Sequence, residues 1–284
     1  MDSGTHHIRI LAGFELRQML RGAPGILAGL FLLFPLAWLL SKTAGNADII
    51  NNLAAGNLTQ EETFLLAAVK WLADLDEAVL ERLLVQRSPF VSMVFVLTAF
   101  AMPLLTMIAT LDQNATDIGS KGIRFYLPRT GRRDLLLGRL LGTLAFWALL
   151  IALAGVAVTI VALVCDESHG PAAVLLDGLW FVGALVVIAV PFAAFMALCA
   201  VVTGNPLLSI TMGLGAYLGI FLLGGLGGMF NEALQVIRYA FPSPLRYDLM
   251  LGSGAEMVVA LVASLAYSAV YLAAAGWVLG RRDL

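Results

Sequence analysis

The sequence predicts an all-α, polytopic membrane protein with six transmembrane helices, and three observations carry that prediction. Hydrophobic residues make up 60% of the 284 and charged residues only 13%, about half the roughly 25% of a soluble domain. The charges are clustered between long uncharged runs, whereas a solvated fold scatters them over its surface. Six of those runs are long enough to cross a hydrocarbon core about 30 Å thick at about 1.5 Å rise per residue. Period-2 alternation, the mark of a membrane barrel, is absent.

The expected spans cover about 23–40, 89–111, 140–165, 178–202, 207–230 and 257–279, each read as free of charge. Arg9, Glu15, Arg17 and Arg21 precede the first run, and no small-residue cleavage site follows it. That run therefore reads as a retained signal-anchor rather than a cleaved leader. Orientation follows from the cations. Counted as cytoplasmic are Arg9, Arg17, Arg21, Lys121, Arg124, Arg129, Arg132, Arg133, Arg139, Arg281 and Arg282. The outer segments, longer in total, hold only Lys42, Lys70, Arg82, Arg87, Arg238 and Arg246. The positive-inside bias predicts both ends in the cytoplasm.

Two outer segments have character of their own. In residues 42–88, Thr59 opens a capping box with Glu62, and Leu65, Val69, Leu72, Leu75, Val79 and Leu83 recur at helical spacing. This is a surface helix that lids the bundle, or a dock for substrate or partner. In residues 231–256, Pro242 and Pro244 discourage a continuous helix. A short helix over Glu232 to Tyr239 is expected, then an irregular stretch able to dip back into the bundle.

The composition also excludes functions. No basic stripe points to nucleic acid. Cys165 and Cys199 lie in or beside apolar runs, so a disulfide framework is not expected. Cys165 with His169 falls short of a metal-ligand set, and His6–His7 reads as incidental. No Ser-His-Asp or Cys-His constellation and no G-x-x-x-x-G-K-[ST] is present, so neither a catalytic site nor resident cofactor is expected in this chain. No span carries an ionisable group near its centre, which argues against an ion-coupled carrier.

The most informative stretch is the loop of residues 112–139. Its cations are interleaved with Ile123, Phe125, Tyr126 and Leu127, and it is longer than a mere connection requires. A short surface helix ending at Pro128 fits, with Thr130 capping the next helix. A plain anchor for anionic lipid is the simpler reading.

The run GIRFYLPRTGRRDLLLGRLLG resembles the cytoplasmic loop of ABC-2-type transporter permeases. Lys121, Gly122, Ile123 and Arg124 match its first part, and Arg132, Arg133, Gly138 and Arg139 its second. The GWVLGRRDL end is similar to the family's basic terminus. Two features depart from the pattern: the acidic pair before the glycine is reduced to Asp117 and Ser120, and the first outer loop is long.

The resemblance implies a membrane-spanning permease subunit of an ABC exporter in a bacterial inner membrane. An amphipathic elbow would span about His6 to Arg21. A coupling helix between spans two and three would dock on a separate ATPase, which holds the ATP and magnesium. The residues implied in coupling are Asp117, Lys121, Gly122, Ile123, Arg124, Phe125, Tyr126, Arg132 and Arg133. A second permease copy or paralogue, and membrane lipid, complete the expected partners. A non-transporting scaffold that recruits a cytoplasmic partner is the alternative.

Two helix faces stand out within the spans. Thr211, Gly215 and Gly219 form a small-xxx-small stripe, suited to packing within the chain or to a dimer seam. Ser264, Tyr267, Ser268 and Tyr271 share one face, suited to interhelical hydrogen bonds or to a substrate path.

Overall fold

A computed structural model describes residues 3–54, 79, 82–110, 115–120, 122, 130–230, 236–237, 239–251 and 254–282. The described residues contain helices and no strand. In chain order these are α1 (Ser3–Arg21), α2 (Ala23–Gly45), α3 (Ala47–Ala54), a π-helical turn (Arg82–Gln86), α4 (Pro89–Thr110), α5 (Ala115–Gly119), α6 (Arg132–Cys165), α7 (Pro171–Thr203), α8 (Pro206–Phe230), α9 (Leu245–Leu251) and α10 (Gly254–Arg281). Helices α2, α4, α6, α7, α8 and α10 are long and apolar enough to cross a membrane.

Local chemistry sets the helix ends. Prolines open α4, α7 and α8, where a missing N–H costs nothing. Asn205 caps α8, its Oδ1 accepting the amides of Leu207 at 2.9 Å and Leu208 at 3.3 Å. Helix α7 stops at Gly204, which takes φ +63° and returns its amide to the Ala200 carbonyl. Helix α6 begins differently from expectation. Gly131, not Thr130, occupies the cap position and offers no side chain; Asp134 in the first turn supplies the negative charge that the helix start favours.

The bundle is arranged for lipid. Helix α7 runs through its middle, packed on α4, α6, α8 and α10, and Phe95, Trp147, Phe181 and Phe192 fill the interior. Outside, Phe34, Trp38, Val164, Leu176, Leu179 and Leu207 face away from the protein. Water would reject such a surface; a bilayer accepts it. The two ends of the bundle are called proximal (Arg132, Thr203, Arg281) and distal (Cys165, Pro171, Gly254).

Helix α1 packs on the first turns of α6 because that surface has no side chains in the way. A Cβ at Gly142 would come within 2.6 Å of both the Ala12 carbonyl oxygen and Glu15 Cβ, and one at Gly138 within 2.6 Å of Leu11 Cβ.

Three sequence expectations change. Helix α7 starts at Pro171 rather than near 178, so it carries Asp177 and is not free of charge. In the segment 231–256 most of the helix expected over Glu232 to Tyr239 lies outside the described residues; 236–237 and 239–240 are 3₁₀-helical, and α9 follows beyond the prolines. Helix α3 occupies the start of the first distal segment, tied by Asn51 Nδ2 donating to the Cys165 carbonyl at 3.1 Å. The capping box at Thr59 and most of the stripe that follows lie outside the described residues. Leu83 is buried in the π-helical turn.

Candidate functional site

At the proximal end, the root of the arginine-rich loop is clamped onto three spans. Ile118 of α5 is buried among Leu135 and Leu136 of α6, Val201 of α7, and Ala275 and Leu279 of α10. Asp117, one residue before it, forms an ion pair with Arg139, whose side chain is 8% exposed. A charge that deep persists only with a partner. Arg132 donates to the Leu279 carbonyl at the end of α10. Arg282 donates to the Val202 carbonyl at the end of α7. Both cations sit where helix C-termini present unpaired carbonyls. Gly204 completes the joint: a Cβ there would fall 3.0 Å from Ile118 Cγ2.

Of the residues expected to couple to a partner, Asp117, Gly122, Arg132 and Arg133 are described. Asp117 and Arg132 are committed to these internal contacts, while Arg133 is exposed. Lys121, Ile123, Arg124, Phe125 and Tyr126 lie outside the described residues.

The face of α10 marked by Ser264, Tyr267, Ser268 and Tyr271 has its hydroxyls engaged. Ser264 donates to the Val187 carbonyl of α7 at 2.8 Å, and Ser268 to its own helix at Ser264 at 2.7 Å. The two tyrosines hold an inserted strip of chain. Tyr267 donates to the Tyr239 carbonyl, and Tyr271 to the Ala240 carbonyl at 3.4 Å.

That strip reaches deep into the bundle. Phe241 is buried, with its ring 4.7 Å from Phe195, 5.7 Å from Phe192 and 5.9 Å from Tyr217 at the midpoint of α8. Leu245, Leu249 and Met250 are buried after it. The most consequential residue on the strip is Arg246, only 5% exposed. Its guanidinium carbon lies 4.1 Å from the centre of the Phe100 ring, midway along α4, and 5.5 Å from the Tyr247 ring. Its Nε has no hydrogen-bond partner, and among the described residues no carboxylate lies within 4 Å of it. The sequence tally of cations had placed Arg246 in a distal loop; the fold brings it to the middle of a span. Desolvating such a cation costs several kcal/mol, and cation–π contact returns roughly 2. The sequence signal was its setting: an arginine among Phe241, Leu245, Leu249 and Met250 is an odd member of a solvent loop.

A polar knot closes the distal end, and its members are too scattered in sequence to be read as a group. Asp177 accepts the Ser88 amide at 2.8 Å and pairs with Arg87 at 3.5 Å. Arg87 also lies over Trp180, 3.9 Å from the ring centre. Burial lowers the Arg87 pKa, with Asp177 opposing and Arg82 reinforcing the shift. Asp166 accepts the Ser168 amide and hydroxyl at 2.9 and 2.7 Å and contacts His169. Burial pushes the Asp166 carboxyl up, but the nearby Ser88 hydroxyl, the bonds from Ser168 and the nearby His169 outweigh it, so its pKa lies below the ordinary value of 3.8. Beside the knot, Arg82, Gln86, Arg87, Leu176, Asp177, Trp180 and Met257 line a cleft of about 410 Å³. Arg82 bridges to Glu256 at 3.5 Å.

Among the described residues, nothing lies close over the glycines of the stripe on α8. Thr211 and Gly215 are exposed, and a Cβ at Gly215 or Gly219 would meet nothing within 4 Å. Its neighbour Gly213, by contrast, presses on Met196, whose Sδ would lie 2.6 Å from a Cβ there. Among the described residues no three His, Cys, Asp or Glu side chains gather as a metal site.

The fold defines a multi-pass α-helical membrane protein. No family model matches the chain, and no curated protein matches it.

Proposed function

We propose that the chain is the membrane-spanning subunit of an ATP-binding-cassette exporter of the ABC-2 type, working with a separate ATPase. The observation that carries this reading is the anchorage of the 112–139 loop. A loop that only joined α4 to α6 would need no ion pair to Arg139, no buried Ile118 and no bond from Arg132 to α10. Rooted this way, a push on the loop would reach α6, α7 and α10 together, which is what a motor acting from outside the membrane requires. In this reading the proximal end faces the cytoplasm of a bacterial cell and α1 is the interfacial elbow. Its Ile10 and Phe14 are exposed beside Arg9 and Arg17, a pairing suited to the headgroup boundary. The open face of Thr211, Gly215 and Gly219 would seat a second permease copy. The chain itself hydrolyses nothing; ATP and magnesium belong to the partner.

The test is reversal of charge at Arg124 and Arg133, which leaves the internal bonds of Arg132 in place. Co-purification with a co-expressed ABC ATPase subunit, and its membrane-dependent ATP turnover, should fall at least tenfold. Unchanged turnover would end the coupling assignment. Binding of an ATPase that never drives transport would assign the scaffold role instead.

A further inference from the structure

We propose that Arg246 is the charge-recognition group of a mid-bundle binding site, and that its ligand is an amphipathic anion: a sulfonate, carboxylate or phosphate on an apolar body. The proposal deepens the transporter reading by naming the substrate class, although binding itself needs no ATPase.

Arg246 is nineteen-twentieths buried, its Nε is unpartnered, and no carboxylate among the described residues lies within 4 Å of it. Asp248, the acid on the same short helix, is influenced by Glu256 of α10 rather than by Arg246. Ring faces of Phe100 and Tyr247 hold the guanidinium in position. An aromatic quadrupole steadies a cation without neutralising it or occupying its in-plane N–H groups. The planar donor fork therefore keeps its charge and its capacity for an oxyanion. An ionisable side chain at the depth of a span marks a functional site.

The surroundings supply the rest of a site. On the same inserted strip, Phe241 packs with Phe192, Phe195 and Tyr217 in a cluster of rings, so the interior that an apolar body would meet along this strip is aromatic. Tyr267 and Tyr271 fasten the strip to α10 through the carbonyls of residues 239 and 240. The position of Arg246 is thereby tied to a span that also reaches the clamped proximal end.

The experiment uses the full chain in nanodiscs of zwitterionic phosphatidylcholine. Two diazirine probes of equal chain length are compared, an alkyl sulfonate and an alkyl trimethylammonium, with labelled peptides mapped by mass spectrometry. The sulfonate should label the peptides holding Phe100 and Phe241 at least tenfold more than the ammonium. Arg246→Gln should remove that preference, and Arg246→Lys should keep part of it. Equal labelling by the two probes, or an unchanged preference in Arg246→Gln, overturns the proposal. If Arg246→Gln does not fold, competition on the wild-type chain decides. Decyl sulfate must displace the label where decyl trimethylammonium does not; equal displacement overturns the proposal. A diazirine phosphatidylglycerol forms a parallel arm. Labelling by it identifies bilayer lipid as the source of the anion, and labelling by the sulfonate alone identifies a free amphiphile. Loss of the transporter reading through absence of an ATPase would leave these labelling patterns unchanged, so the two can fail separately.

Discussion

Single residues decide how tightly the proximal joint closes. Gly204 is the clearest case, because two independent demands meet on it. Its φ of +63° lies in the left-handed region, which costs an L side chain roughly 1–2 kcal/mol. Any Cβ there also meets Ile118 and the tip of Arg282, at 3.0 and 2.9 Å. The arginine tip can swing away, but Ile118 is held in the cluster with Leu135 and Leu279. Gly204→Ala should therefore lower the thermal midpoint of the detergent-solubilised protein by a few degrees, the scale expected for about 1–2 kcal/mol in a chain of this size. A midpoint equal to wild type would mean that α7 does not end in this geometry. Asp117 and Arg139 show the same economy in charge. Asp117, shortly before the loop glycine, satisfies a nearly buried cation on α6.

At the scale of elements, what the sequence disclosed depended on whether the signal was local. The six spans were legible because each is a run of about twenty apolar residues, and such a run is decided by the bilayer rather than by its neighbours. Their ends were less so: α6 and α7 begin at Arg132 and Pro171, before the expected spans, bringing in Arg139 and Asp177. The distal knot was not legible, because Ser88, the Asp166–His169 loop and Asp177 become neighbours only when α4, α6 and α7 pack. Arg246 was misplaced for the same reason. A loop cation and an inserted cation look alike until the chain is folded; the hints were the irregular stretch around Pro242 and Pro244, expected to be able to dip into the bundle, and the apolar neighbours of Arg246. Helix α1 makes an element-scale prediction. Its seat on α6 depends on Gly142, where an added Cβ would strike the backbone oxygen of Ala12, an atom that cannot rotate aside. Gly142→Val should lift α1 from the bundle, making the 3–21 region sensitive to limited proteolysis at least tenfold faster while the spans remain protected. Cleavage at the wild-type rate would show that α1 is held by other contacts.

For the whole molecule, orientation and mechanism stand on the same geometry. The proximal end gathers Arg132, Arg133, Arg139, Arg281 and Arg282 around the ends of three spans. The distal end balances its cations against acids: Arg82 with Glu256 and Arg87 with Asp177. With Arg246 withdrawn into the bundle, the distal surface loses one of the six cations that the sequence assigned to it, so the positive-inside bias toward a cytoplasmic proximal end becomes steeper. On the proposed function, this orientation brings the loop fastened to α6, α7 and α10 within reach of an ATPase. Single cysteines placed at exposed Arg133 and exposed Ser168, in a background with Cys165 and Cys199 replaced, provide the check. In intact inverted vesicles a membrane-impermeant maleimide should label Arg133→Cys fully and Ser168→Cys only after permeabilisation. The opposite pattern would put the arginine-rich loop outside the cell, and a cytoplasmic motor would have nothing to grip. Labelling of both before permeabilisation, in sealed vesicles, would mean that the six helices do not separate two compartments, and the anion site at Arg246 would then lie in a soluble assembly rather than on a path across a membrane.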